Sequence, residues 1–166
     1  GEQMLYEQNF VIQDLIKEVF DALSLKAAEK YIKLNIKKGC ETPISVYADK
    51  EKIRMVFINL VDNAIKYGKQ NGAIVFSAYK TDFANILVEI SDDGFGIAEE
   101  HLTRIFERFY RTDLARSRKE GGSGLGLSIC KHIIEAHGQT MHVRSTLDVG
   151  TTFGFTLEGR RDKTEV

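Results

Sequence analysis

Asp92 closes an apolar run and is followed by Asp93-Gly94-Phe95-Gly96-Ile97. A carboxylate held there can accept from an exocyclic amino group such as that of adenine. The glycines let backbone approach a flat ring with no Cβ in the way. An ordinary Asp-Gly turn, with the aspartate bonded to its own backbone, explains the same residues, and on this motif alone it leads. A second glycine run, Gly121-Gly122-Ser123-Gly124-Leu125-Gly126, opens onto a helical stretch. Free amides and the helix dipole favour phosphate there, and glycines permit an amide-lined curve around an anion. No Gly-Lys-Ser/Thr follows, so this is not a P-loop. No βαβ unit with a following acidic residue supports a dinucleotide fingerprint. Taken alone, a flexible loop explains it.

Asn59, Asn63, Lys66 and Tyr67 fall at i, i+4, i+7 and i+8 and share one polar helical face. Amide oxygens are hard ligands suited to Mg²⁺, which shares its shell with waters and phosphate oxygens. A lysine can meet phosphate as a point charge. A solvated face accounts better for any one of these residues, and only their joint occurrence shifts the balance. Arg111, Arg116, Arg118 and Lys119 concentrate positive charge between the two glycine motifs, where a basic segment could close over a polyphosphate. For Arg118 and Lys119 a solvated loop is preferred. Arg111 directly follows Phe109 and Tyr110 and is the better positioned. Phe106 and Phe109, three apart, are expected to pack the root of this segment on the core. His101, His132, His137 and His142 have no partner at metal spacing and read as surface or structural.

The elements that must hold these residues follow from periodicity. Ile12, Leu15, Ile16, Val19, Phe20 and Leu23 mark a helix reaching about Glu29. Strands are predicted at 31–37 and 44–47. Asp49 is placed to N-cap a helix over 50–67 whose apolar stripe is Ile53, Phe57, Leu60 and Ala64. Residues 73–79 and 85–91 form a hairpin, and 100–109 a short helix. A helix from Gly124 or Gly126 runs to His137, with Gly138 as its C-cap. Two alternating strands follow, around Met141–Ser145 and Phe153–Leu157. Residues 1–9 show no periodicity and are read as a linker or the end of a preceding helix. The predicted unit is 10–158, with a polar tail at 159–166. About five or six strands pairing mainly as neighbours, with three or four helices on one face, give an α+β two-layer sandwich.

The chain has 166 residues, enough for one domain with a real core. With 43% hydrophobic and 28% charged residues it reads as soluble and globular. A net charge of −1 offers no basic field to hold a nucleic acid. Apolar runs are too short to cross a bilayer. Cys40 and Cys130 lie far apart, and a reduced, cytoplasmic compartment is expected.

Together these motifs resemble the catalytic, ATP-binding domain of bacterial two-component sensor histidine kinases, within the wider GHKL group of gyrase B, Hsp90 and MutL. Ile58 to Tyr67 resembles the N box, Asp92 to Ile97 the G1 box, Phe106 to Arg111 the F box and Gly122 to Leu127 the G2 box. Gly150-Thr151-Thr152-Phe153 resembles the closing glycine-threonine turn. The motifs stand in family order over roughly Phe10 to Glu158. The resemblance implies the Bergerat ATP-binding fold, a mixed, mostly antiparallel sheet with helices on one face. It implies that Asp92 binds adenine, with Gly94, Gly96, Ile97 and Phe109 around the nucleotide. Asn63, with Asn59, would hold Mg²⁺. Lys66, Tyr67 and Arg111 would contact phosphates or sugar, and Gly122, Gly124, Leu125 and Gly126 would shape a lid. The cofactors implied are ATP, with ADP as product, and Mg²⁺.

One departure is that Asp93 stands where many members have Asn. Another is larger. The phosphoacceptor histidine of such kinases precedes an acidic residue, with a proline a few positions on. Here the histidines precede Leu102, Ile133, Gly138 and Val143, and the only proline is Pro43. The acceptor and its dimerisation hairpin are therefore expected in another domain of a membrane-anchored parent. The chain alone is expected to be monomeric, and a response regulator to be the downstream partner. Gyrase- or Hsp90-type ATPases place a water-activating glutamate one turn before the metal-binding asparagine. This chain has Asn59 there, which cannot act as a base. An anti-sigma-factor type serine kinase shares the fold but fits Phe106 to Arg111 less well. A degenerate partner-binding domain would not need Asp92, Asn63 and the glycine motifs.

Overall fold

Backbone pairing across one seven-stranded sheet decides where Asp92 and the asparagines lie. A computed structural model describes residues 4–110 and 126–162. In chain order the elements are β1 (Glu7–Val11), α1 (Ile12–Glu29), β2 (Lys33–Ile36), β3 (Ser45–Asp49), α2 (Lys50–Lys66), β4 (Ala73–Lys80), β5 (Asn85–Asp92), α3 (Glu99–Leu102), α4 (Gly126–Ala136), β6 (Met141–Thr146) and β7 (Gly150–Gly159). The sheet order is β1-β3-β7-β5-β4-β2, and β6 pairs with β7. Among the described residues the β2–β4 pair is parallel and the other pairs are antiparallel. The mixed sheet with α1, α2 and α4 packed on its apolar face is the α+β sandwich expected.

Alternation builds that face. Ile74, Phe76 and Ala78 of β4, Ile86, Val88 and Ile90 of β5, and Phe153, Phe155 and Leu157 of β7 are all buried, as strand geometry requires for one side of a sheet. They meet Leu15, Ile16 and Val19 of α1, Ile53, Phe57 and Leu60 of α2, and Cys130, Ile133 and Ile134 of α4 in one continuous core. Phe57 is its centre, edge-on to Phe76 with centroids 6.0 Å apart and tilted against Phe155 at 5.8 Å. Asp49 caps α2 as predicted, its Oδ1 accepting from the Lys52 amide at 3.2 Å. At the far end the Lys30 ammonium donates to the Ile65 and Lys66 carbonyls at 2.9 and 2.7 Å. These carbonyls lie in α2's last turn, at the negative end of its dipole, and the Ile65 carbonyl also accepts from the Gly68 amide at 3.2 Å.

Three expectations differ from the structure. Glu7–Asn9, read as linker, begin β1, which pairs with β3 in the register Glu7↔Asp49 to Val11↔Ser45. Glu7 to Asn9 are exposed, so no apolar alternation marked them. At the other end Arg161 lies beyond residue 158 yet is tied down: its amide donates to Asn9 Oδ1 at 2.9 Å, and Asn9 Nδ2 donates to its carbonyl at 2.8 Å. The short helix expected over 100–109 is regular only at Glu99–Leu102, and single turns continue to Phe109. Phe109 itself has φ +64°, which no helix accommodates.

Candidate nucleotide site

Asp92 is the last residue of β5, level with Ile74 of β4 on one side and Thr151 of β7 on the other. Its Oδ1 accepts from the Gly94 amide at 2.9 Å and the Thr151 amide at 3.3 Å. Among the described residues no donor reaches Oδ2. Burial pushes this carboxyl above the ordinary carboxylate value, the two amides pull it back, and neighbouring Asp93 adds a smaller push upward. A half-buried carboxylate with one oxygen pinned and the other unengaged is an acceptor with a fixed direction. Asp93 is different: its Oδ1 accepts from the Ala73 amide at 2.9 Å and staples β4 to the turn.

The glycines around Asp92 are dictated by close approach. A Cβ on Gly94 would lie 2.9 Å from the Tyr67 carbonyl oxygen, so Gly94 seats this turn against the end of α2. Gly96 has φ +74°, and a Cβ there would collide with the Thr146 carbonyl. Ile97 is half-buried, and its amide donates to Ser145 Oγ at 2.7 Å.

On α2, Asn59 and Asn63 are half-buried on the expected face. Asn59 Nδ2 donates to the Met55 carbonyl at 2.9 Å, which turns its Oδ1 toward the start of α4. A Cβ on Gly126 would sit 3.2 Å from that oxygen. Thus α2 and the second glycine motif do meet, at Asn59 and Gly126. Tyr67 is half-buried beside the Gly94 turn. Lys66 is less available than its spacing suggests. Its ammonium lies 3.1 Å from Asp62, which also binds Lys26 of α1 at 3.3 Å. Arg111, Gly122, Gly124 and Leu125, and with them Arg116, Arg118 and Lys119, lie outside the described residues.

The aromatic pair before Arg111 divides. Phe106 packs edge-on against Phe153 with centroids 6.0 Å apart, as expected. Phe109 does not join the core: it is 63% exposed, because its positive φ turns the chain outward there. His137 is structural, its Nδ1 bonded to the Ile133 carbonyl at 2.8 Å and its Nε2 accepting from the Asp49 amide at 3.1 Å.

Two residues here, Lys69 and Ser145, were not singled out from the sequence, and a third, Thr151, was named only within the glycine-threonine turn, without a contact. Lys69 donates to the Asp148 carbonyl at 2.6 Å and lies 5.7 Å from the Phe95 ring centroid, bridging the α2 end and the β6–β7 turn. Thr151 supplies the second amide to Asp92, and Ser145 joins Ile97 to Thr151. Only the register of β5, β6 and β7 brings these together, and no local pattern carries that information.

A carboxylate with one pinned oxygen, amide oxygens on a neighbouring helix and glycines in the turn after Asp92 and at the start of α4 are the groups the structure brings to this end of the sheet. The family described as histidine kinase-, DNA gyrase B-, and HSP90-like ATPase matches residues 48–161. The chain belongs to this family. Within it, the similar proteins are kinases. The adaptive-response sensory kinase SasA of Gloeothece citriformis (strain PCC 7424) is 40% identical over 157 residues, 95% of this chain and 39% of that protein. The catalytic domain of histidine kinase ThkA superposes with a TM-score of 0.80 at 27% identity, covering 93% of this chain and 97% of ThkA's. Full-length ShkA gives 0.85 at 26% identity, over 98% of this chain and 33% of its own. The chain therefore has the ATP-binding catalytic fold of a histidine kinase and spans under half the length of SasA. Among the described residues, no helix is long and apolar enough to cross a membrane.

Proposed function

We propose that this chain binds Mg²⁺-ATP and presents the γ-phosphate to a histidine in a separate dimerisation domain of the same kinase, for relay to a response regulator. The observation that carries this reading is Asp92, with Oδ1 fixed by two amides and no described donor on Oδ2. The adenine amino group is a donor and matches that oxygen. Support for nucleotide and partner comes from relatives in fold: ShkA was solved in complex with AMPPNP, and ThkA with the response regulator protein TrrA.

The residues fit a metal-bound polyphosphate. Among the described residues no group of three or more His, Cys, Asp or Glu could hold a metal ion. A cation here must rely on Asn63, with the outward Oδ1 of Asn59, and on phosphate oxygens, the shell Mg²⁺ favours. Bound Mg²⁺ would supply charge neutralisation to the phosphates. Lys66 would approach them by exchanging Asp62 for phosphate, a small cost for a partly exposed ion pair. Gly126 brings the start of α4 close to Asn59, and the N-terminal amides of a helix favour an anion. Tyr67, Phe109, Arg111 and Gly122–Leu125 complete the proposed site as sugar, phosphate and lid residues. Phosphoryl transfer needs mainly positioning and charge stabilisation. A base for the accepting histidine would come with the acceptor domain, in a cytoplasmic portion of a membrane-anchored parent.

The test is to give the full-length parent γ-labelled ATP and Mg²⁺. Label should appear on the protein as an acid-labile, alkali-stable phosphoramidate, and Asn63→Ala should remove it. Steady release of phosphate with no labelled protein would instead make the chain an ATPase.

A further inference from the structure

Ser145, near the end of β6, joins the turn after Asp92 to the start of β7 through one oxygen. Its Oγ accepts from the Ile97 amide at 2.7 Å, donates to the Gly150 carbonyl at 2.9 Å and lies 2.8 Å from Thr151 Oγ1. If the Thr151 hydroxyl donates to it, Ser145 accepts two hydrogen bonds and donates one, filling its capacity. Ile97 belongs to the turn after Asp92. Thr151 is buried, and its amide is one of the two that hold Asp92 Oδ1. Backbone packing around this hydroxyl is tight: a Cβ on Gly96 would strike the Thr146 carbonyl, and one on Gly150 would strike the Asp92 carbonyl. The register between β5 and β7 is thus locked where Ser145 bridges them.

We propose that Ser145 is a positioning residue for base recognition: it fixes the Thr151 amide and the Ile97 turn so that Asp92 Oδ2 points at the 6-amino group of the nucleotide. This rests on the nucleotide reading above. Removing the hydroxyl leaves the Ile97 amide and the Gly150 carbonyl without their partner and frees Thr151 to shift. Asp92 then loses its fixed direction while keeping its charge.

The predicted signature is selective. Ser145→Ala should weaken ADP binding about fivefold to tenfold, the scale of one to two lost hydrogen bonds. It should leave binding of inosine diphosphate unchanged, because that base has no 6-amino group to give to Asp92. Ser145→Thr, which keeps the hydroxyl, should restore the ADP preference. Calorimetric titration of both nucleotides into wild type and variants reads this directly. Should the alanine chain not fold, Ser145→Cys, similar in size with a weak acceptor, is read the same way. Equal losses for ADP and inosine diphosphate would make Ser145 a general support of the pocket and overturn the proposal, as would wild-type ADP binding in the variant. Failure of the wild-type chain to bind ADP would sink the nucleotide reading itself.

Discussion

At Asp92 the proposed binding role and stability oppose each other. Its carboxyl titrates above the ordinary 3.8 because burial disfavours the charge. In that window the folded chain holds a proton that the unfolded chain has lost, so this group's contribution to stability falls as pH rises through it. Charged Asp92 is a burden on the free protein at neutral pH and an asset only with a donor bound. Asp92→Asn should therefore keep or raise the melting temperature at pH 7 while ADP affinity is lost; thermal melts and titrations on one preparation check both. Wild-type ADP affinity should decline on acidification from a higher pH than an exposed aspartate would allow. Gly96→Ala should lose ADP binding and much stability together, since φ +74° and the Thr146 carbonyl both exclude a Cβ; circular dichroism against temperature reads the second. The turn at Asp92 and Gly96 was legible because its residue types and spacing are local, and Thr151 was legible only as part of the glycine-threonine turn. What Ser145 and Thr151 touch was not, because it lies across a strand register, about 50 to 60 residues away in sequence.

At the level of elements, α2 is held at both ends by residues with a second task. Asp49 caps it with Oδ1 and accepts from the Tyr6 amide with Oδ2 at 3.0 Å, while its own amide binds His137 beyond α4. Asp49→Ala should cost about 0.5–2 kcal/mol, the usual range for a cap, read from urea unfolding. The Tyr6 amide should exchange faster with solvent, a change hydrogen-exchange mass spectrometry resolves. The cap was predictable from an aspartate before an amphipathic run. Strand β1 was not, since an exposed edge strand carries no apolar alternation and its partner is β3. The stretch to Phe109 failed as a helix for a related reason: its tertiary contacts, Ile105 buried and Phe106 on Phe153, hold it in turns despite its helical spacing.

Across the whole molecule, one core under one sheet face carries the site. Phe57 is fully buried against Phe76 and Phe155, on the core face of α2, the helix that also carries Asn59 and Asn63. Phe57→Ala should destabilise by about 3–5 kcal/mol, a large part of the stability of a domain this size, with Tm as the measure. The sandwich itself was legible because β4, β5 and β7 alternate cleanly and α1 and α2 carry single apolar stripes. The order of seven strands was not, because pairing among distant strands leaves no local mark. The most direct measurement is calorimetric titration of ADP and a non-hydrolysable ATP analogue, with and without Mg²⁺, into wild type and Asp92→Asn. The expected result is binding by wild type, strengthened by Mg²⁺ for the triphosphate, and none by the variant. Absence of binding to wild type, or equal binding by the variant, would contradict the placement of adenine on Asp92 and the function built on it.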